Sequence, residues 1–402
     1  MKSLFLGFYL VACISLSIDA CSDSVKLTGN EFLIEGIISN VEDGAVITLF
    51  KNDGDFGMSI ATDTLKNGRF MFRKEAVSNP EKMNIMCFSK GYPSSRSLDV
   101  WVAPGKKIKI TGKDKLIPAW EVKSSIPYQK EANLYADKNR NLIREITELS
   151  IGIDDLRNKS RTAASDDEAI SYRKTVDSLE IIKKSLDIQT VLADIVIMKK
   201  TNVSPIWLDK MNGIAMTLKY SSADTEYTDE IRKEAEELYS KMSKEDKSTL
   251  TGYKITANLF PPRAVRVGDD IIDGNFFDIN GNTKHLSDYL GKYLLLDFWS
   301  RGCGPCIMAI PEMKEISEIY HDKLTIIGIS LDTDAVWKEA MNIHNTPWVN
   351  IRDPKGFGGL AANYDVRGIP NYIMISPEGK VIDKWMGFGN GLLKKKVNEN
   401  IK

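Results

Sequence analysis

The sequence predicts a multidomain protein with an N-terminal antiparallel β domain, a central α-helical region and a C-terminal α/β domain. Three changes of pattern along the 402 residues support this division. Short β-type runs with glycine and asparagine turns fill residues 25–118, and charged stretches with helical spacing fill residues 119–262. Over residues 265–402, strands alternate with helices, which is typical of a mixed sheet covered by helices.

The composition excludes several classes of protein. The apolar fraction is 43% and the formal net charge is −1. This apolar share is ordinary for a chain with proper hydrophobic cores. A net charge this close to zero creates no overall electrostatic field that would attract a polyanion or an anionic membrane surface. We therefore expect no nucleic-acid partner.

The first residues predict export. One positive charge and an apolar stretch, residues 4–18, form a segment that is too short for a permanent membrane span. Residues 1–20 look like a bacterial lipoprotein signal peptide, after which Cys21 would receive lipid, although Asp19 departs from the usual small residue. Cys13 fits the same pattern but leaves a very short signal. We expect a lipid-anchored protein of the cell envelope, facing the periplasm or at the outer membrane.

The β region predicts a sandwich or barrel without chemistry of its own. Its strand-like runs are separated by turn residues such as Asn67-Gly68. Phe70, Phe72 and Trp101 are suited to a ligand groove, but half-buried strands need the same residues, so core packing is the better interpretation. Cys87 lies in a strand-like run, and an unpaired thiol there is more often buried than reactive.

The central region predicts amphipathic helices over residues 135–156, 167–199 and 226–242. Leu142, Ile146 and Leu149 recur at helical spacing with charges between them, which is typical of a packing face. Two prolines in the run 260–263 end the helical region. They place a domain boundary near residue 265.

The C-terminal part alternates strands and helices. A hairpin is predicted at residues 276–281. The further strands are predicted at 293–299, 324–330, 372–375 and 381–385, and the helices at 305–320, 335–344 and from about residue 391.

Two thiols follow the apolar strand 294–299 in the motif Cys303-Gly304-Pro305-Cys306. Pro305 is suited to the first turn of a helix, so Cys303 would lie where unpaired helix amides point. A helix N-terminus can lower a cysteine pKa from about 8.5 to between about 3.5 and 7.5, and the thiolate is the form that attacks disulfides. The pair can therefore cycle between dithiol and disulfide.

These residues resemble the thioredoxin superfamily, and within it the exported TlpA/ResA-like thiol-disulfide oxidoreductases. The resemblance covers about residues 268–402 and rests on the Cys303–Cys306 motif, on Asp297-Phe298-Trp299 before it and on Gly368-Ile369-Pro370 after it. The earlier regions are similar to the β-rich and helical N-terminal extensions of such lipoproteins in Bacteroides-like bacteria. The resemblance implies a thioredoxin-like fold for residues 265–402.

The resemblance also implies roles for the two sulfurs. Cys303 would attack a client disulfide, and Cys306 would resolve the mixed disulfide. Gly304-Pro305 matches the dipeptide of reducing thioredoxins, which favours reduction of protein disulfides. Asp297 would be a buried carboxylate of raised pKa that accepts the proton of Cys306, and the alternative is a partly solvated aspartate without a catalytic part.

Pro370 aligns with the cis-proline of this superfamily, and Ile369 before it would offer backbone hydrogen bonds to the substrate. A trans bond in an ordinary turn is the alternative on base rates. The expected clients are proteins that contain disulfides, with a membrane thiol reductase as electron donor. The residues expected to contact substrate are Trp299, Gly304, Pro305, Ile369 and Pro370.

Two positions depart from the family pattern. Arg301-Gly302 replaces an aromatic wall before the first cysteine and adds a cation, which would lower the thiol pKa, contact acidic clients or remain a solvated charge. Ala309 stands where members that mature cytochrome c commonly carry an acidic residue. The second departure speaks against a role specific to haem attachment.

Other chemistries have less support. The three histidines are scattered, so we expect no metal site and no cofactor. Covalent haem attachment requires a histidine where Ile307 stands. A thiol peroxidase of the peroxiredoxin-like group is the enzymatic alternative. A surface binding lipoprotein with a redox passenger domain is the non-enzymatic alternative.

Overall fold

The computed structural model describes residues 26–53, 56–76, 80–93, 96–220 and 226–401. The predicted signal peptide, with Cys13 and the predicted lipidation site Cys21, lies outside these residues. Within the described ranges, none of the helices has both the length and the apolar character that are needed to cross a membrane.

The N-terminal region forms two four-stranded sheets, in the orders β4-β1-β7-β8 and β3-β2-β5-β6. Their strands are β1 (Glu31–Ile38), β2 (Val46–Asp53), β3 (Phe56–Thr64), β4 (Arg69–Glu75), β5 (Glu81–Cys87), β6 (Leu98–Val102), β7 (Lys107–Gly112) and β8 (Glu121–Lys123). The strand pairs are antiparallel except for β1 with β7, which is parallel. Local turn signals predict hairpins, so they miss this pair of strands that are distant along the chain.

The two sheets bury one shared core. Phe32 and Ile34 of β1 and Ile47 and Leu49 of β2 alternate inward and belong to a single hydrophobic cluster, as in a sandwich. The predicted core residues are confirmed: Phe70, Phe72 and Trp101 are buried, and Cys87 is a buried free thiol. The strand β8 extends the β region to Lys123, beyond the predicted boundary at residue 118, because Val122 pairs with Ile110 and is buried.

The central region is helical, as predicted. Its helices are α1 (Pro127–Arg161), α2 (Asp166–Met198), α3 (Pro205–Tyr220), α4 (Glu226–Ser240), α5 (Lys244–Lys247) and α6 (Leu250–Leu259). The sequence interpretation relied on charged stretches and therefore missed the more apolar α3 and α6. Trp207 of α3 is fully buried, and its indole Nε1–H donates to the Met198 carbonyl at 3.2 Å. Helices α1–α4 and α6 contribute residues to the hydrophobic cluster of the sandwich.

The C-terminal region contains a seven-stranded mixed sheet in the order β10-β9-β13-β12-β11-β14-β15. Its strands are β9 (Phe276–Phe277), β10 (Thr283–Lys284), β11 (Tyr293–Trp299), β12 (Leu324–Ser330), β13 (Val349–Arg352), β14 (Asn371–Ile375) and β15 (Val381–Met386). Its helices are α7 (Gly304–Ile319), α8 (Asp334–His344), α9 (Leu360–Asn363) and α10 (Leu392–Asn400). The predicted alternation is confirmed; β13 and α9 are additional.

The central strand β11 decides which face of the sheet carries the candidate chemistry. Leu294, Leu296 and Phe298 enter one hydrophobic cluster, whereas Leu295 enters another together with Met313 of α7. Side chains alternate between the two faces of a strand. Asp297 and Trp299 therefore lie on the face that α7 covers.

Candidate active site

The two cysteines of the motif form a disulfide at the start of α7. Their Cα atoms are 5.2 Å apart, and both residues are buried. Cys303 is the N-cap residue, and its Sγ accepts a hydrogen bond from the Cys306 backbone N–H at 3.2 Å. Pro305 occupies the first turn, where its missing N–H costs no helix hydrogen bond. The predicted position of Cys303 at a helix N-terminus is confirmed.

The loop before Cys303 is held by groups that sequence reasoning missed. The Arg301 backbone N–H donates to the Asp332 carboxylate at 2.8 Å, and the Cys303 N–H donates to the Ser300 carbonyl at 3.1 Å. Asp332 and Ser300 are buried. The available signal was the position of Asp332 just after β12, because the carboxyl ends of neighbouring parallel strands meet at one edge of a sheet.

Arg301 is an ion-paired cation. Its guanidinium donates two hydrogen bonds to Glu339 of α8, at 2.7 and 2.8 Å. The Arg301 side chain is only 15% exposed. The structure thus contradicts the alternative of a solvated charge at this position. Glu339 neutralises the positive charge that the sequence places beside the first cysteine.

Asp297 lies in the protein interior below the disulfide. It is 3% exposed, which contradicts the partly solvated alternative, and its Oδ1 has no hydrogen-bond partner among the described residues. Burial raises the pKa of Asp297 to about 7. Opposite it on β14, Tyr372 also has a raised pKa, caused by burial and then by the Asp297 charge. A carboxyl in this state can take and release a proton near neutral pH.

Asp297 and Cys306 line the same small cavity, of about 10 Å³, which is about the space of one water molecule. His344, at the end of α8, lines this cavity too. Burial and then the Arg301 charge lower the pKa of His344, which favours its neutral imidazole. The sequence alone marked His344 only as a scattered histidine, because α8 brings it to the site through tertiary packing.

The Ile369–Pro370 peptide bond is cis, as the resemblance implied. Ile369 packs against an apolar cluster that contains both cysteines, Trp299 and Trp337. Trp299 is buried in this cluster. The structure therefore brings the predicted residues of β11, α7 and the proline loop together around one disulfide.

Metal ligation has no support in the described part of the chain. No group of three or more His, Cys, Asp or Glu side chains there is arranged to hold a metal ion.

A mixed sheet, a two-cysteine motif at a helix N-terminus and a facing cis-proline together define a thioredoxin-like domain. Comparison with known proteins agrees: the model of the AhpC/TSA family matches residues 267–384. The thiol-disulfide oxidoreductase ResA of Geobacillus thermodenitrificans is 41% identical over 32% of this chain and 75% of its own length. The chain therefore belongs to the ResA-like thiol-disulfide oxidoreductases of the thioredoxin superfamily, and the predicted resemblance is confirmed.

Two further proteins are similar to about a third of this chain. The thioredoxin-like protein YneN of Bacillus subtilis is 26% identical over 31% of this chain and 73% of its own length. Among solved structures, the thioredoxin domain of a thiol-disulfide oxidoreductase from Bacteroides vulgatus is 28% identical, with a TM-score of 0.32, and covers 35% of this chain and 100% of that domain.

Proposed function

We propose that this protein reduces disulfide bonds of client proteins in the cell envelope through a dithiol–disulfide cycle of Cys303 and Cys306. Membership of the thiol-disulfide oxidoreductases supports the class of reaction. One observation carries the assignment of roles: the Cys303 Sγ is the atom that caps α7, and it accepts the Cys306 amide hydrogen at 3.2 Å. A thiolate at this position is stabilised by the amide and by the helix dipole.

In the first step, the Cys303 thiolate of the reduced protein attacks one sulfur of the client disulfide. A bond forms between Cys303 and that sulfur, and the other client sulfur leaves as a thiolate that takes up a proton from solvent. The client has then been reduced at one sulfur and remains attached through the other. Cys306 is still a free thiol at this stage.

In the second step, Cys306 loses its proton and attacks the Cys303 sulfur. The Cys303–Cys306 disulfide forms, and the second client sulfur leaves as a thiolate. Asp297 is the group that we assign as proton acceptor, because it lines the same cavity as Cys306 and its pKa of about 7 suits proton exchange at neutral pH. Two electrons have passed to the client, and a dithiol donor of the envelope must restore the reduced protein.

The expected substrate contacts surround the disulfide. The Ile369 backbone, next to the cis peptide bond, is assigned to hydrogen bonding with the client chain. The space beside Gly304 is open, since an added Cβ there would meet no atom within 4 Å, and Pro305 fixes the first turn of α7 next to Cys303. Trp299 supplies an apolar wall behind the sulfurs.

Export and lipid anchoring are proposed from the sequence pattern that ends at Cys21. They would place the reaction in the envelope, where disulfides persist and where a membrane thiol reductase could supply electrons. Metabolic labelling with a fatty acid tests the anchor. Label should be lost in Cys21→Ser and retained in Cys13→Ser; label that persists in Cys21→Ser would contradict the assignment.

Turnover assays test the reaction. Reduced full-length protein should reduce insulin disulfides, and Cys303→Ser should abolish this activity, whereas Cys87→Ser, a matched control at a thiol remote from the site, should keep it. Cys306→Ala should accumulate mixed disulfides with clients.

Peroxide turnover in place of insulin turnover would support the peroxidase alternative instead. A cellular phenotype that survives Cys303→Ser would support the binding-protein alternative.

A further inference from the structure

A cleft of about 340 Å³ lies between the helical region and the thioredoxin-like domain. We propose that it binds an acidic, partly apolar segment of the client polypeptide next to the client disulfide. This inference rests on the proposed function and adds the chemistry by which clients are chosen. Helices α3 and α6 form one wall of the cleft, and residues 366–369 before the cis-proline form the other.

The cleft is continuous with the reacting sulfurs through Ile369. This residue lines the cleft, and it also packs against the apolar cluster that contains Cys303 and Cys306. A client bonded to Cys303 that passes along the Ile369 backbone therefore runs into the cleft. An extended chain advances about 3.3 Å per residue, so the positions that enter are those a few residues from the client cysteine.

The charge of the lining selects for carboxylates. Among the described residues, the lining carries three cationic side chains, Lys219, Lys254 and Arg367, and no carboxylate. Arg367 is bound by the neighbouring Asp365 at 2.9 Å. Burial is the main influence that lowers the pKa of Lys219; Asp365 raises this pKa and Arg367 lowers it. A client carboxylate would therefore stabilise a partly desolvated ammonium group.

The rest of the lining is largely apolar. Met216 and Tyr220 of α3 are 41% and 48% exposed, although both are large, and Phe357 completes this side of the cleft. Covering such surface removes apolar area from water, which is favourable. The segment that fits best thus combines an acidic residue with a neighbouring apolar or aromatic residue.

The walls are held in place before a client arrives. Helix α6 lies directly on the turn 356–358, and a Cβ at Gly358 would overlap the Tyr253 backbone. At Gly356, a Cβ would lie 3.2 Å from a Leu250 methyl group. At position 358 only glycine permits this close approach, which fixes the cationic side of the cleft relative to the cis-proline. A preformed site binds its ligand with less loss of entropy.

The test uses reduced full-length protein and three disulfide-bonded peptides that differ only at the positions a few residues from the cysteines, which carry Glu, Gln or Lys. The specificity constant kcat/KM should be about tenfold higher for the Glu peptide than for the Lys peptide at low salt. This preference should disappear near 1 M salt, where the Debye length is about 3 Å. Lys219→Glu and Lys254→Glu should each lower the preference by about fivefold.

Lys395→Glu on α10 makes the same charge change outside the cleft lining, and it should leave the preference intact. Circular dichroism and the unfolding temperature verify that each variant is folded, and Lys219→Gln provides a milder change that should give an intermediate preference. Failure to reduce even the Gln peptide would overturn the proposed function. Reduction of the Gln peptide without a preference for Glu over Lys, or with a preference that Lys219→Glu leaves unchanged, would overturn the cleft assignment alone.

Discussion

The buried carboxyl of Asp297 couples the stability of the thioredoxin-like domain to pH. Burial raises its pKa from an ordinary value of 3.8 to about 7 in the folded protein. In the unfolded chain, the carboxyl returns to about 3.9. Asp297→Asn keeps the shape of the side chain and removes the ionisable group. This substitution therefore isolates the effect of one titrating group on the pH dependence of the free energy of unfolding.

The direction in which stability changes with pH depends on whether the folded protein or the unfolded chain holds this proton. Between about pH 4 and about pH 7, the folded protein keeps the proton while the unfolded chain has released it, so stability falls as pH rises through this range. A difference of about 3 pKa units corresponds to about 4 kcal/mol. In Asp297→Asn this loss is absent. The stability of the variant minus that of the wild type should therefore rise by about 4 kcal/mol between about pH 4 and about pH 8.

Urea denaturation of the oxidised full-length chain at a series of pH values measures this difference. Hydrogen exchange of peptides from β11 and β14 should be the readout, because a chain with several folded regions need not unfold in two states. Asp177→Asn, on an exposed position of α2, makes the same chemical change at the surface and serves as the control. Parallel stability curves for Asp297→Asn and the wild type would refute the assignment of Asp297 as a buried, protonated carboxyl.

The same variant tests the catalytic role. Without a proton acceptor at Asp297, resolution by Cys306 should slow by about 100-fold, and the mixed disulfide should accumulate in single-turnover experiments. The first attack by Cys303 should change less, since its sulfur is stabilised by the start of α7. An unchanged resolution rate would show that another group takes the proton.

Three other substitutions have defined outcomes. Glu339→Gln removes the partner of Arg301, so the pKa of Cys303 in the reduced protein should fall, as measured by the pH dependence of alkylation. Gly358→Ala should destabilise the contact with α6 by about 1–3 kcal/mol and weaken the preference for acidic peptides. Cys87→Ser should lower stability by about 1–3 kcal/mol, because it places a hydroxyl in an apolar core, while insulin turnover is retained.

Each of these expectations has a result that contradicts it. An unchanged alkylation profile would show that the paired guanidinium does not act on Cys303. Wild-type stability and peptide preference in Gly358→Ala would mean that α6 can move without consequence for the cleft. Loss of turnover in the folded Cys87→Ser protein would assign that thiol a part in the exchange.

The three-part layout and the position of the disulfide follow from patterns that are local in the chain. Strands that alternate every second residue, helices that repeat every three or four, and a proline at a helix start each depend on neighbours a few residues away. The Cys303–Cys306 motif is of this kind, since its two sulfurs belong to one helical turn. Local patterns did not predict the parallel pairing of β1 with β7, because these two strands are far apart along the chain.

What surrounds the disulfide was decided by tertiary packing. The sequence indicated that Asp297 precedes the cysteines, but only the burial of β11 beneath α7 determines its pKa. Glu339 and His344 lie far from the motif along the chain, and α8 delivers both to the site. The cationic cleft needs α3, α6 and the loop before Pro370 at once. Such groups carry no common signal in the sequence, because burial and charge depend on the sum of neighbours from many segments, and that sum exists only in the folded chain.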